Sequence, residues 1–454
     1  MVMYELDINE ENIKKTIISD VLERNGSIYN FLNLIYSINT KCTISIDGDW
    51  GTGKTFFVKQ VEYIMNLLNT SNVENIDPKI QILIDKIKGR LEKKNICTYG
   101  NIRAIYYNAS EYDYFEEPIL TIIADIIKNN SNIKIDDPKI KESLGEKIDK
   151  LISSFKFGFT YQRQNGDTVG FEVQKQKGEN KISIIDEILL DKELETNFKS
   201  LLEELLVEKS NKLVIFIDEL DRCNPNFAVK LLEKIKYFFD DDRFIFVFST
   251  NLKQLQYTIE KYYGYNFNGA YYLQKFFDYQ LELPEINLEN YINYQIDLIP
   301  INSPSYMDEV IKETLKDQRF NLRDCNKYFE LLKLKYNDIK NLAVGFNCFF
   351  FIGIMFPVLL AVKIKSLNEY TLMREGKGKE VFRNIIKNKT MYEALKEATH
   401  MDKIEVEDID RLYNFMFVNL DEDYIVIKNS FNIRRNFINK MNELLSYLGE
   451  KVTL

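Results

Sequence analysis

The stretch Gly48-Asp49-Trp50-Gly51-Thr52-Gly53-Lys54-Thr55 carries the residue types that a polyphosphate requires, at the spacing G-x-x-x-x-G-K-T. Glycines let the main chain approach phosphate oxygens with no Cβ in the way. Successive N–H groups then form an anion nest, and a helix N-terminus behind them adds positive potential. In such a loop Lys54 would reach the β- and γ-phosphates of a nucleotide, and the Thr55 hydroxyl would ligate Mg²⁺. A second chemical group stands far downstream, in Asp218-Glu219-Leu220-Asp221-Arg222. Asp218 is suited to hold Mg²⁺ directly or through water, and Glu219 to polarise an attacking water. Asp221 and Arg222 either form a structural ion pair or act in the site. Asn251, after Ser249-Thr250, either senses the γ-phosphate and positions the water or caps the helix that follows.

Such residues work only if the right elements hold them. Cys42 to Asp47 reads as a buried strand, and Phe56-Phe57-Val58-Lys59-Gln60-Val61 has helical spacing, so the glycine-bearing loop joins strand to helix. The apolar run before Asp218 suits a strand buried on both faces of a parallel sheet. An amphipathic helix over Asn226 to Phe239 and a buried strand over Arg243 to Phe248 follow. Upstream, Glu10 to Ile38 reads as two helices broken at Asn25-Gly26, with Ser27 as N-cap, lying over a nucleotide base. Ile102 to Asn108 is rich in β-formers, and Pro118 opens an amphipathic helix to about Lys128. Between Phe155 and Val173 the period changes to two around Asn165-Gly166, the pattern of a β-hairpin with an aromatic face. That face packs on its own domain or meets a partner subunit.

Composition narrows the class. The chain has 454 residues, 45% hydrophobic and 28% charged, enough for a large core and two or three units. A formal charge of −9 argues against a general nucleic-acid footprint. Five scattered cysteines with no C-x-x-C pair support neither a disulfide framework nor a zinc site, which fits a reducing cytoplasm. His400 is the single histidine, so histidine-based catalysis is not expected; it reads as a surface residue of a helix. Met1 to Glu11 is acidic and has no signal-peptide pattern. Leu342 to Val362, with Asn347 as its one plainly polar side chain, has the length and apolarity of a membrane span. Gly345, Gly353 and Pro357 would interrupt one straight helix there, which favours a buried helical core over a span.

Taken together these motifs resemble the KAP family of P-loop NTPases, of the additional-strand class. The family signature places a tryptophan inside the loop, G-x-W-G-[ST]-G-K-[ST], and Gly48 to Thr55 matches it with the chain's one Trp. The family's Asn-Ala-Trp element is similar to Asn108-Ala109-Ser110, with Ser in place of Trp. Its Asp-Asp-Leu-Asp-Arg is similar to Asp218 through Arg222, with Glu219 in the second place, and Asn251 stands where the family has an aspartate. Tyr272-Leu273-Gln274-Lys275 resembles the family's Tyr-Leu-x-Lys helix. This implies Lys275 as a cation for phosphates, of a neighbouring subunit if not its own; the plain alternative is a solvated lysine. Asn321-Leu322-Arg323-Asp324 resembles the arginine of the helical lid, which implies that Arg323 meets the γ-phosphate. The resemblance runs from about Asp20 to Gly378. Family members anchored in membranes carry their spans between the two main motifs, and some prokaryotic relatives are phage-exclusion proteins.

The expected fold is α/β: a P-loop NTPase core with a mostly parallel sheet over 1–285, carrying a hairpin near 155–174, then an α-helical lid and C-terminal domain over 286–454. The expected cofactors are ATP and Mg²⁺, with the loop Gly48, Asp49, Trp50, Gly51, Thr52, Gly53, Lys54 and Thr55 holding the nucleotide together with Asn251. Thr55 and Asp218 hold the metal; Glu219, Lys54, Arg323 and Lys275 act on the γ-phosphate. The expected protein is an ATP-driven switch, by resemblance one used in bacterial defence. It would pair with copies of itself or another protein; the acidic balance argues against nucleic acid without excluding a local basic groove. Two other readings stay open: a nucleotide-gated scaffold with little turnover, and a membrane-anchored signalling NTPase through 342–362.

Overall fold

Two helices, Glu10–Ser19 (α1) and Asn25–Ser37 (α2), lead into the strand Cys42–Asp47 (β1). The structure, a computed structural model, describes residues 8–69, 77–93, 102–115, 117–119, 121, 122, 125, 160–162, 168–170, 196, 212–238, 241–264, 266–299, 306–343, 351–399 and 401–418. The break between α1 and α2 falls at Asp20 to Arg24, not at Asn25-Gly26, and Ser27 lies inside α2. Asp20 is the reason: it ends α1 in the left-handed conformation (φ 49°), and its carboxylate accepts from Asn25 N at 3.0 Å. After β1 come Lys54–Asn69 (α3), Pro78–Glu92 (α4) and Ile102–Asn108 (β2). The residues described after Pro118 (Ile119, Thr121, Ile122 and Asp125) are helical, as expected there. Thr160–Gln162 (β3) pairs antiparallel with Thr168–Gly170 (β4), and the rest of the expected hairpin, its turn and aromatic face included, lies outside the described residues. Lys212–Asp218 (β5), Pro225–Phe238 (α5), Phe244–Thr250 (β6), Leu252–Tyr263 (α6), Gly269–Leu273 (α7) and Tyr279–Glu282 (β7) complete the core.

The main sheet has the order β2-β5-β6-β1-β7, and all its pairings are parallel. Parallel strands need crossovers, and these bring helices to both faces, so the central strands must be apolar on both sides. Strand β5 shows it: Val214 and Phe216 join one core, while Leu213, Ile215 and Ile217 join the other. The first core takes α1 to α4, and the second takes α5 and α6. Both chemical motifs follow strand carboxyl ends, β1 for the glycine loop and β5 for Asp218. These strands flank β6, so the ends open into one crevice.

The helical part follows as Leu288–Asp297 (α8), Met307–Asp317 (α9), Leu322–Ala343 (α10), Phe356–Lys365 (α11), Leu367–Arg374 (α12), Lys379–Ile386 (α13), Lys389–Thr399 (α14) and Val406–Tyr413 (α15). Its apolar side chains join the first core without a break. The apolar run flagged as a span is described from residue 351: a π-helical turn, Phe351–Met355, leads directly into α11. Pro357 therefore stands where the π-helical turn gives way to α11, a local change of hydrogen-bond pattern that accommodates its missing N–H. Ile354 to Val362 are buried among α9, α10 and α12, with Tyr328 Oη donating to the Pro357 carbonyl at 3.3 Å. Among the described residues no helix is long and apolar enough to cross a membrane. His400 and the pair Arg434 and Arg435 lie outside the described residues.

Candidate functional site

The loop from Gly48 to Thr55 bends where its glycines allow. Gly51 (φ +83°) and Gly53 (φ +89°) both take left-handed conformations that other residues adopt only under strain. They also leave room for the lid. A Cβ on Gly51 would stand 2.8 Å from the Asn321 side chain, and one on Gly53 would stand 2.9 Å from Leu322 Cδ2. The N-terminus of α10 thus rests on the loop, and Arg323 N donates to the Gly51 carbonyl at 3.1 Å. Lys54 is buried, with Nζ on the carbonyls of Gly48 and, at 3.1 Å, Asp49. Burial lowers its pKa, while Asp221, Asp218 and Asp47 oppose that shift.

Asp218 is 1% exposed at the end of β5. Burial raises its pKa; hydrogen bonding from the Thr55 and Tyr106 hydroxyls opposes the rise. Tyr106 Oη donates to Asp218 Oδ2 at 3.0 Å, and Glu219 N donates to Oδ1 at 3.0 Å. Glu219 sits in the left-handed region (φ 60°), a strained place for a residue with a Cβ. Both its oxygens are engaged: Oε2 accepts from Ser110 Oγ at 2.8 Å, and Oε1 meets Arg222 Nη1 at 2.8 Å. Asp221 and Arg222 do not form the ion pair considered above. Arg222 goes to Glu219, while Asp221 takes the Trp50 indole N–H at 2.5 Å and Thr250 Oγ1 at 3.0 Å. Asp221 therefore ties the glycine loop to the ends of β5 and β6.

Lys54, Thr55, Asp218, Glu219 and Arg323 line one cavity of about 370 Å³, together with Asp49, Trp50, Gly51 and Gly53. Gly48 and Thr52 open on the other side of the loop, beside Leu283 and Pro284. Asn251 is the N-cap of α6, accepting from Gln254 N at 3.0 Å, and its Nδ2 donates to Asp49 Oδ1 at 3.2 Å. It is not among the residues lining the cavity, so any effect it has there passes through Asp49. Lys275 is exposed, with Nζ 5.2 Å from the Tyr271 ring centroid, and is likewise outside the cavity lining.

Sequence reasoning missed four residues. Arg24 is buried (2%), and its guanidinium donates to the carbonyls of Pro284 (2.8 Å), Thr52 (3.1 Å) and Gly53 (3.3 Å). Burial lowers its pKa to about 10. Ile8 and Asn326 line the cavity, and Tyr106 holds Asp218. Nothing in their local spacing marks them, because their partners stand far away in the chain. For Ser110 the sign was the departure from Asn-Ala-Trp.

A glycine loop between a strand and a helix, facing a buried Asp and the Glu after it at the end of a parallel strand one place removed, defines a P-loop NTPase core. The chain belongs to the KAP family: residues 24–344 match the KAP family P-loop domain. An uncharacterized protein of Methanocaldococcus jannaschii is 35% identical over 112 residues, which are 24% of this chain and 50% of that protein. The chain thus spans about half the length of this curated relative. Among solved structures, the Aeropyrum pernix Orc1 protein in complex with DNA is similar at 12% identity, covering 86% of this chain and 81% of that one, with a TM-score of 0.36. A RuvB mutant of Thermogota maritima is similar at 13% identity, covering 89% and 85%, with a TM-score of 0.30. Likenesses this low carry neither fold nor function.

Proposed function

We propose that the protein binds and hydrolyses ATP with Mg²⁺ and acts as a nucleotide-driven switch between core and lid. The observation that carries this reading is the single cavity shared by Lys54, Thr55, Asp218 and Glu219 of the core and Arg323 of the lid. In it Lys54 leaves its loop carbonyls for the β- and γ-phosphates, and the loop N–H groups cradle them. Thr55 and Asp218 offer a hydroxyl and a carboxylate, the hard oxygen donors that suit Mg²⁺, which takes its remaining ligands from phosphate and water. Mg²⁺ bound there would neutralise charge developing on the phosphates. Glu219 orients the attacking water and accepts its proton, and Arg323 brings a fixed positive charge from the lid. Because Arg323 stands on α10, nucleotide contact would pull lid and loop together. Lys275, on the outer face, is available to the phosphates of a second copy in an oligomer. The acidic chain and its scattered cysteines fit a cytoplasmic protein that does not act on nucleic acid. A role in anti-phage defence rests on family resemblance alone.

A specific contact favours a second reading, a nucleotide-gated scaffold with little turnover. With Ser110 on one oxygen and Arg222 on the other, Glu219 keeps a free lone pair on each, but its direction is fixed and its basicity lowered by both donors. Mg²⁺-dependent ATP hydrolysis by the wild type and Glu219→Gln separates the two readings. We expect the wild type to turn over and the Gln variant to bind ATP but hydrolyse it at least about a hundredfold more slowly. Binding without turnover in both would leave the scaffold.

A further inference from the structure

The lid arginine stands just after a tight turn, and a lysine from another helix braces that turn on both sides. Arg319, two residues past the end of α9, takes the left-handed conformation (φ 50°) at a place where glycine is usual. Phe320 N donates back to the Leu315 carbonyl at 3.0 Å, and Arg319 N to the Lys316 carbonyl at 2.9 Å. Asn321 then starts α10. Its Oδ1 accepts from Asp324 N at 2.9 Å, while Asp324 Oδ2 accepts from Asn321 N at 3.3 Å, a reciprocal pair that closes the first turn. Lys365, the last residue of α11, reaches both halves. Its Nζ donates to the Arg319 carbonyl at 2.9 Å and to Asp324 Oδ2 at 2.6 Å, and lies 5.4 Å from the Phe320 ring centroid.

The same turn rests on the glycine loop. Asn321 Nδ2 donates to the Trp50 carbonyl at 3.4 Å, and Arg323 N to the Gly51 carbonyl at 3.1 Å. The main chain at Arg323 is therefore pinned. Its guanidinium lines the cavity, exposed, with no hydrogen bond or ion pair among the described residues. A forked cation on a fixed stem has nothing to break before it meets an anion. Where that stem points depends on how the first turn of α10 is seated. We propose that Lys365 is a positioning residue for Arg323, bracing the turn from α11 so that the arginine stays aimed at the outermost phosphate. The proposal rests on the nucleotide reading above. Lys365 is itself outside the cavity lining, so its effect passes through the turn. Without its ammonium, Asp324 keeps only the Asn321 and Asp324 cap, and the left-handed Arg319 has only water for its carbonyl.

The test titrates ADP and the non-hydrolysable β,γ-imido analogue of ATP calorimetrically into the full chain. The variants are Lys365→Met, Lys365→Arg, Arg323→Met and the double variant of Lys365→Met with Arg323→Met. Arg323→Met should cut the preference for the triphosphate over ADP by about tenfold or more, the worth of a charge-assisted bond. Lys365→Met should remove part of it, about three- to fivefold, because the side chains of the Lys365–Asp324 pair are 31% and 23% exposed and partly screened. Lys365→Arg keeps charge and donors and should restore the preference. Two residues acting through one contact are not additive, so the double variant should match Arg323→Met alone. A purely structural role would weaken both nucleotides alike; an unchanged preference in Lys365→Met therefore overturns the inference, as does a double variant that loses more than Arg323→Met. If Arg323→Met itself keeps the wild-type preference, Arg323 does not read the outermost phosphate and Lys365 has nothing to position. Wild type that binds neither nucleotide sinks the nucleotide reading itself.

Discussion

Ser110 and Glu219 show what a single exchange can do. Where the family has Trp, this chain has a hydroxyl that donates to the carboxylate expected to act on water. The bond occupies one of that oxygen's two lone pairs and draws charge from the carboxylate, which makes it a weaker base toward water. Ser110→Ala should therefore raise the rate of a single turnover, by up to about fivefold for one neutral donor. Quench-flow with excess enzyme would read it, and a slower variant would mean that Ser110 aims Glu219 instead of restraining it. Asp218 carries a cost of a different kind. Burial raises its folded pKa above the ordinary 3.8, so the folded chain holds the proton more tightly than the unfolded one. The associated stability is full below the unfolded pKa and is lost as pH rises through the folded one. Asp218→Asn should then melt higher than wild type near neutral pH, by roughly 1–3 °C, with the difference shrinking as the buffer is made acidic. The same variant should lose Mg²⁺-dependent nucleotide affinity. Calorimetry over a pH series checks the first statement; a lower melting point at pH 8 would refute it.

At the scale of elements, the strands were legible because they are local. The apolar runs before Gly48 and Asp218 carry their own burial pattern, and parallel pairing follows from the helices between them. The glycine loop was equally legible, since strand, loop and helix are contiguous. What could not be read was the floor beneath that loop. Arg24 meets Thr52 and Gly53 from 28 and 29 residues away and Pro284 from 260, a convergence that no window of sequence contains. Its neighbourhood misled as well, because Asn25-Gly26 looks like a turn while Asp20 makes the actual break. Arg24→Met would keep the stem and take the donor from the Pro284 and Thr52 carbonyls, while the Gly53 carbonyl keeps the Phe57 N–H. Removing a buried charge offsets part of that loss, so we expect a net destabilisation of about 2–4 kcal/mol, read from the urea midpoint. A variant as stable as wild type would show that water replaces the guanidinium there.

For the molecule as a whole, the sheet and the lid helices share one apolar cluster, and α10 sits directly on the glycine loop. The division at residue 285 was drawn from a change of pattern, from strands to helices, and such a change says nothing about whether two parts share a core. With a shared core, core and lid should unfold together. Differential scanning calorimetry should give one transition that ATP and Mg²⁺ shift as a unit; two separable transitions would mean the lid is held only weakly. The long apolar run at 342–362 was ambiguous for the same reason, since hydropathy cannot distinguish lipid from protein as the apolar surroundings. For its described part, Ile354 to Val362, packing against α9, α10 and α12 supplies what the sequence left open. The buried guanidinium of Arg24 also has an evolutionary consequence. Its hydrogen bonds all go to main-chain oxygens, which every amino acid provides, so the partners at 52 and 284 could drift without breaking them, while Gly53 is held by its own φ and by the closeness of Arg24 Nη1. The constraint of these bonds falls on one codon, and a saturation scan should find position 24 intolerant beside partners whose own limits have other causes.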